Sequence, residues 1–170
     1  MSTTLLLLRH AKSSWREPVG TDFDRPLSGR GVRDGTVFGR HLAAELPTPD
    51  LVLCSTARRT RDTLAFLVPE LVDPRIVQFE DGLYQAGAMH LLHRIHDVPG
   101  TVRTLLVIAH NPGLTDLVNL LVGGNRGAID NLPTFGCARF SLTTPFAELD
   151  RGNARLAALL RPKDEPQGDP

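Results

Sequence analysis

Two histidines close apolar runs of the sequence: Leu5 to Leu8 leads into Arg9-His10, and Thr104 to Ala109 leads into His110-Asn111-Pro112-Gly113. A third run, Asp50 to Cys54, leads into Ser55-Thr56-Ala57-Arg58-Arg59. Neutral imidazole is a nucleophile and proton carrier near neutral pH. Guanidinium forks match phosphate oxygens two at a time, and backbone N–H groups at a helix start add positive potential. Together these groups suit a tetrahedral oxyanion, and the implied ligand is a phosphoryl group. Other phosphate chemistries fail on spacing. A cysteine phosphatase loop needs an arginine six positions after its cysteine, and Thr60 holds that place after Cys54, which reads instead as a small apolar strand residue. Neither G-x-x-x-x-G-K-[ST] nor G-x-G-x-x-G occurs around Gly29, Gly31 and Gly35. His90, His93 and His96 raise the question of a metal, but helical positions three apart lie about 60° round, so the outer pair diverges by about 120°. With Leu91, Leu92 and Ile95 as the buried side, the three read as a polar helix face, and no metal is expected.

The elements that must position these groups alternate in type. Thr4 to Leu8 reads as a strand buried on both faces. Ser13 to Pro26, with Pro18 and Gly20, reads as a loop, and Ser28 offers a cap to a helix carrying Val32, Phe38, Leu42 and Leu46. Gly35 and Gly39 weaken that helix and permit close packing. Asp50 to Cys54 is a second strand, followed by a helix from about Ala57 to Leu67 that Ser55 or Thr56 can cap. Ile76 to Phe79 then reads as a strand, Gly87 to Val98 as a helix, Thr104 to Ala109 as a strand, and Pro112 to Val122 as a helix with proline in its first turn. Gly136 to Leu142 and Arg155 to Leu160 suggest two closing strands. The pattern predicts a three-layer α/β/α sandwich with a mainly parallel sheet and an antiparallel edge. Open parallel sheets bind ligands beyond the carboxyl ends of their strands, which gathers the two histidines and the arginines on one rim.

Composition narrows the class. The 170 residues suit one domain, taken as 1–160, with a polar tail at 161–170 containing three prolines. Nineteen Lys+Arg balance nineteen Asp+Glu, so there is no overall field to hold nucleic acid or anionic lipid, and any anion site is local. Two cysteines make neither a disulfide framework nor a four-ligand zinc site, which favours a reducing compartment, the cytoplasm. The leucine run is too short for a signal peptide or a membrane span. The short, charge-balanced chain permits a monomer.

In ordered blocks the sequence resembles the histidine phosphatase superfamily, with its phosphoglycerate-mutase-like fold, and within it the small SixA-type phosphohistidine phosphatases. Leu7-Leu8-Arg9-His10-Ala11-Lys12-Ser13 is similar to the opening R-H motif, with Ala11 where many members have glycine. Asp24-Arg25-Pro26-Leu27-Ser28 and Gly31 are similar to the D-x-x-R-P-L loop, and Ser55-Thr56-Ala57-Arg58-Arg59 with Thr63 to an S-x-x-x-R-x-x-x-T segment. Leu106-Val107-Ile108-Ala109-His110-Asn111-Pro112-Gly113 is similar to the second-histidine block.

The resemblance implies phosphoryl transfer to His10 and then to water, without a cofactor. Arg9, Arg59 and His110 would stabilise the equatorial oxygens, with Arg25 as a fourth phosphate contact. It also implies a proton donor at Asp81, before Leu83-Tyr84, with Glu80 as the alternative; neither has the fuller acidic signature of the mutases. An imidazole leaving group, with a solution pKa of about 6.5, needs little help from an acid, which makes a phosphoramidate chemically reasonable, and the resemblance implies phosphohistidine on a partner protein as the substrate. No long insertion builds a lid, and the site should be open. The rival readings are a phosphatase of small esters such as sugar or nucleotide phosphates, a phospholigand-binding module with weak activity, and a metal hydrolase built on the helix histidines.

Overall fold

A computed structural model describes residues 3–16, 20–123 and 127–162. Pro18 of the expected loop and residues 163–170 of the expected tail lie outside them. The elements run β1 (Thr3–Arg9), α1 (Gly29–Glu45), β2 (Leu51–Ser55), α2 (Arg58–Ala65), β3 (Val77–Glu80), α3 (Ala88–His96), β4 (Thr104–Ala109), α4 (Gly113–Val122), β5 (Cys137–Leu142) and β6 (Arg155–Leu160).

They form one six-stranded sheet in the order β3-β2-β4-β1-β5-β6. The first four strands are mutually parallel, whereas β5 runs antiparallel to both β1 and β6. The four consecutive leucines of β1 serve two cores at once because side chains alternate across a strand. Leu5 and Leu7 join Leu91 and Ile95 of α3 and Leu117 of α4 on one face. Leu6 and Leu8 join Phe38 and Leu42 of α1 and Leu64 of α2 on the other. The result is the expected α/β/α sandwich with an antiparallel edge.

Local deviations have physical causes. Ser28 caps α1 by accepting from the Gly31 N–H at 3.1 Å, but Val32, expected on the apolar stripe, is exposed. Glycines and Phe38 cover that stripe instead: a Cβ on Gly35 would stand 2.3 Å from the Phe66 ring, and one on Gly39 3.0 Å from the Phe66 carbonyl oxygen. Neither Ser55 nor Thr56 caps α2, whose N-cap is Ala57 with no side-chain hydrogen bond. Both hydroxyls are engaged elsewhere, by His110 and Asp81. The helix also stops at Ala65 rather than Leu67, and Ile76 belongs to a short 3-10 turn before β3. Pro112 lies one residue before α4 rather than inside its first turn. Among the described residues no helix is long and apolar enough to cross a membrane.

Register fixes the site. Arg9 of β1 pairs with Ala109 of β4, and Cys54 of β2 pairs with Ile108. His10 and His110 therefore emerge side by side, one residue beyond neighbouring strand ends, with Ser55 beside them. At this point the chain leaves β1 through α1 on one face and β4 through α4 on the opposite face, the arrangement that opens a crevice in parallel sheets.

Candidate active site

A cavity of about 280 Å³ lies at these strand ends, and its lining includes Arg9, His10, Arg25, Arg59 and His110. The imidazoles of His10 and His110 are 5.3 Å apart between centroids, and both side chains are buried. His10 Nδ1 lies 2.8 Å from the Ala11 carbonyl oxygen. A carbonyl only accepts, so Nδ1 carries the proton and the Nε2 lone pair is left for chemistry. The loop that makes this bond is pinned: the Ala11 N–H donates to Thr63 Oγ1 at 2.9 Å, and that hydroxyl donates to the Arg59 carbonyl at 2.6 Å. Thr63 thereby ties the histidine loop to the helix carrying Arg59.

His110 is oriented by Ser55, whose Oγ lies 2.8 Å from His110 Nε2. Ser55 Oγ also accepts from the Ala57 N–H at 3.4 Å, which leaves its own proton for Nε2. With Ser55 donating, His110 carries its proton on Nδ1 and is a neutral N–H donor; this nitrogen is buried without a partner among the described residues. Burial comes first in pushing the His10 pKa down to about 4, opposed by the Ala11 carbonyl and reinforced by the charges of Arg59, Arg9 and Arg25. Burial, then His10 and Arg59, push His110 down to about 3. Both rings are neutral at pH 7.

The arginines reach the cavity from three segments. Arg9 ends β1, and its NH1 group donates to the Leu132 carbonyl at 2.9 Å; Leu132 is in turn held by Asn111 and Thr115 at the start of α4. Arg59 is buried in α2, while its neighbour Arg58 is exposed and pairs with Asp62 at 3.6 Å. Arg25 is brought in by the pairing of Ser13 with Leu27, and it donates to Ser13 Oγ at 2.5 Å. The close seat of α1 on this loop requires Gly31, where a Cβ would lie 2.1 Å from the Lys12 carbonyl oxygen.

Asp22 was not singled out by the sequence reading, yet it joins these groups. Its carboxylate takes Arg25 at 3.0 Å, Arg59 at 3.1 Å and the Tyr84 hydroxyl at 2.7 Å, and its carbonyl takes Arg59 at 2.7 Å. Desolvation raises its pKa, but the Tyr84 hydrogen bond and the charges of Arg59 and Arg25 outweigh it, and the carboxyl is held below the ordinary range. An acid three residues before Arg25 was the available signal. Ser55 stands in the S-x-x-x-R-x-x-x-T segment and as a candidate cap, neither of which shows its bond to His110, and Trp15 and Gln85 of the lining carry no signal.

Asp81 is not brought into the lining. It opens a short 3-10 turn, where its carboxylate accepts from Thr56 Oγ1 at 2.6 Å. Glu80 faces away and pairs with Arg94 at 2.7 Å. His96 is engaged by the Leu149 carbonyl at 2.7 Å, and among the described residues no group of three His, Cys, Asp or Glu side chains is placed to hold a metal. Cys54 is buried, which pushes its thiol up to about 12 and removes it as a nucleophile at neutral pH.

Comparison with known proteins identifies the family. Residues 5–84 match the histidine phosphatase superfamily (branch 1). An uncharacterized protein of Mycobacterium tuberculosis, Rv1276c, is 34% identical over 163 residues, spanning 92% of this chain and 100% of the relative. The solved structure of SixA from Nakamurella multipartitia is 32% identical, with a TM-score of 0.83 over 95% of this chain and 97% of that one. SixA from Agrobacterium tumefaciens is 29% identical, with a TM-score of 0.77 over 94% and 98%. Likeness along nearly the whole of each chain, and not in the R-H motif alone, places this protein in the histidine phosphatase superfamily, among its SixA-type members.

Proposed function

We propose that this histidine-phosphatase-family hydrolase removes the phosphoryl group from phosphohistidine on a partner protein, through a covalent intermediate on His10. One observation carries the choice of substrate. The carboxylate lining the cavity is Asp22, which Tyr84, Arg59 and Arg25 hold ionised, so it has no proton to give. A leaving group must then depart with little help. A phosphorylated imidazole whose second ring nitrogen is protonated leaves as neutral imidazole, whereas an alkoxide leaving group needs a donated proton.

The steps follow from the geometry. The His10 Nε2 lone pair attacks phosphorus, the bond from phosphorus to the substrate's nitrogen breaks, and the departing ring keeps that electron pair. Water then attacks phosphorus, the bond to Nε2 breaks, and inorganic phosphate leaves with His10 neutral again. Arg9, Arg25 and Arg59 supply fixed positive charge to the equatorial oxygens, and the Nδ1–H of His110 adds a neutral donor. Buried nitrogens without partners among the described residues, Arg9 Nε, Arg59 Nε and His110 Nδ1, mark donors that phosphoryl oxygens would satisfy. Asp81, held by Thr56 outside the cavity lining, is the proposed proton donor for poor leaving groups only.

The test compares wild type and His10→Ala, in chelator, for phosphate release from a phosphohistidine peptide and from an aryl phosphate. Release from the peptide that depends on His10, with a labelled phosphohistidine trapped on wild type, is the expected result. Preference for the ester would move the substrate to small phosphate compounds. Absence of His10-dependent release from either would overturn catalysis in favour of a phospholigand-binding module.

A further inference from the structure

Trp15 is the one tryptophan in the sequence, and it lines the phosphate cavity although it is 78% exposed. Exposure of so large an apolar ring is unusual, because a core would gain more from it than any other side chain. The ring is nonetheless held in place. The guanidinium carbon of Arg25 lies 3.7 Å from the indole centroid, within cation–π range. Arg25 is itself buried and fixed by Ser13 and Asp22. One face of the indole is thus covered by a phosphate-site arginine, and the exposure belongs to the remainder of the ring, at the mouth of the cavity.

The cavity, at about 280 Å³, has room for a phosphoryl group together with a ring bonded to it, and Trp15 is part of its lining. A group bonded to phosphorus therefore lies against that lining, in which Trp15 stands at the mouth. In phosphohistidine that group is a planar ring attached directly to phosphorus, with no flexible linker to carry it away from Trp15. We propose that Trp15 is a specificity residue, whose exposed indole edge meets the leaving ring of the substrate at the mouth of the cavity while Arg25, stacked beneath the indole, holds its phosphoryl group. This inference rests on the phosphohistidine reading for the identity of the ring, but the contact applies to any ring bonded to a phosphoryl group.

Two arms separate the contact from that reading. In the binding arm, phenylphosphonate and methylphosphonate are titrated into the full-length protein by calorimetry and by tryptophan emission, which Trp15 alone supplies. Phenylphosphonate should perturb the emission and bind roughly 2- to 10-fold tighter than methylphosphonate. Trp15→Ala should erase that advantage, and Trp15→Phe should retain most of it. In the kinetic arm, Trp15→Ala should raise KM for a phosphohistidine peptide by a similar factor, with a smaller effect for a phospholysine peptide, which offers the same P–N bond without a ring. Equal loss for phenylphosphonate and methylphosphonate would overturn the proposal, because the indole would then act only by holding Arg25. So would the absence of any aromatic advantage in wild type. If the phenylphosphonate advantage depends on Trp15 but no P–N compound is hydrolysed, the contact stands and the phosphohistidine reading falls.

Discussion

Ser55 is fully buried at the end of β2, between the Ala57 N–H and His110 Nε2. If its proton fixes the His110 tautomer, Ser55→Ala leaves the ring free to protonate Nε2, and the buried Nδ1 then offers a lone pair where a donor is needed. The expected result is a fall of about 10-fold or more in kcat, within the range for loss of one preorganised donor. The nitrogen shifts of His110 should move away from the Nδ1–H form, which a simple packing defect would not produce. Asp81 makes a contrasting case, since it touches Thr56 and not the cavity lining. Asp81→Asn should slow alkyl and aryl ester hydrolysis increasingly as the leaving-group pKa rises, and leave phosphohistidine turnover near wild type. A plot of log kcat/KM against leaving-group pKa, steeper in the variant, is the measurement; parallel plots would remove Asp81 from proton transfer. His10, His110, Arg9 and Arg59 were legible in the sequence because each closes an apolar strand or opens the helix after one. The contacts of Ser55 and Asp22 were not, because they hold other side chains across 55 and 37 residues of chain, which periodicity does not register.

At the scale of elements, the phosphate site is a set of loops braced by helices. The start of α1 rests on the carbonyl of Lys12, two residues after His10, and Ser28 donates to that carbonyl through both its N–H, at 2.8 Å, and its hydroxyl, at 3.1 Å. Gly31 permits this approach. Gly31→Ala adds helix propensity of about 1 kcal/mol, but its Cβ would overlap a backbone oxygen, which has no rotamer to escape into. The clash should prevail, with a net destabilisation of about 1–3 kcal/mol in urea unfolding and a lower kcat/KM, because relief requires the loop after His10 to move. A stabilised, fully active Gly31→Ala would refute the bracing argument. Element order was legible here: alternating strand and helix signals predicted ten elements, and β4 and β6 have the predicted ends. The differences lie at element boundaries, the start of α2 among them. Thr56 looked like a cap because small hydroxyl residues favour caps, yet tertiary partners claimed its oxygen, and α2 begins on the uncapped Ala57 instead.

The whole molecule has a formal charge of zero, but Arg9, Arg25 and Arg59 converge where two neutral histidines are buried, and this sets a pH dependence. In the unfolded chain His10 and His110 protonate near pH 6.5. In the folded chain burial and the arginine charges depress their pKa values to about 4 and about 3. Between pH 6.5 and 4 the unfolded state therefore binds more protons, and stability falls as the pH falls. The contribution is fully present above pH 6.5 and is lost as the pH drops through the folded values, at up to about 1.4 kcal/mol per pH unit for each histidine. Urea midpoints measured from pH 7.5 to 4.5 should be level above 6.5 and decline below it. His10→Gln, which removes one of the two groups, should flatten the decline by up to one proton's worth. An unchanged slope would mean that His10 titrates alike in both states, and the nucleophile would then be substantially protonated just below neutrality. The same depression that makes the fold acid-sensitive keeps Nε2 unprotonated beside three arginines, so this stability measurement also reports the protonation state on which phosphoryl transfer depends.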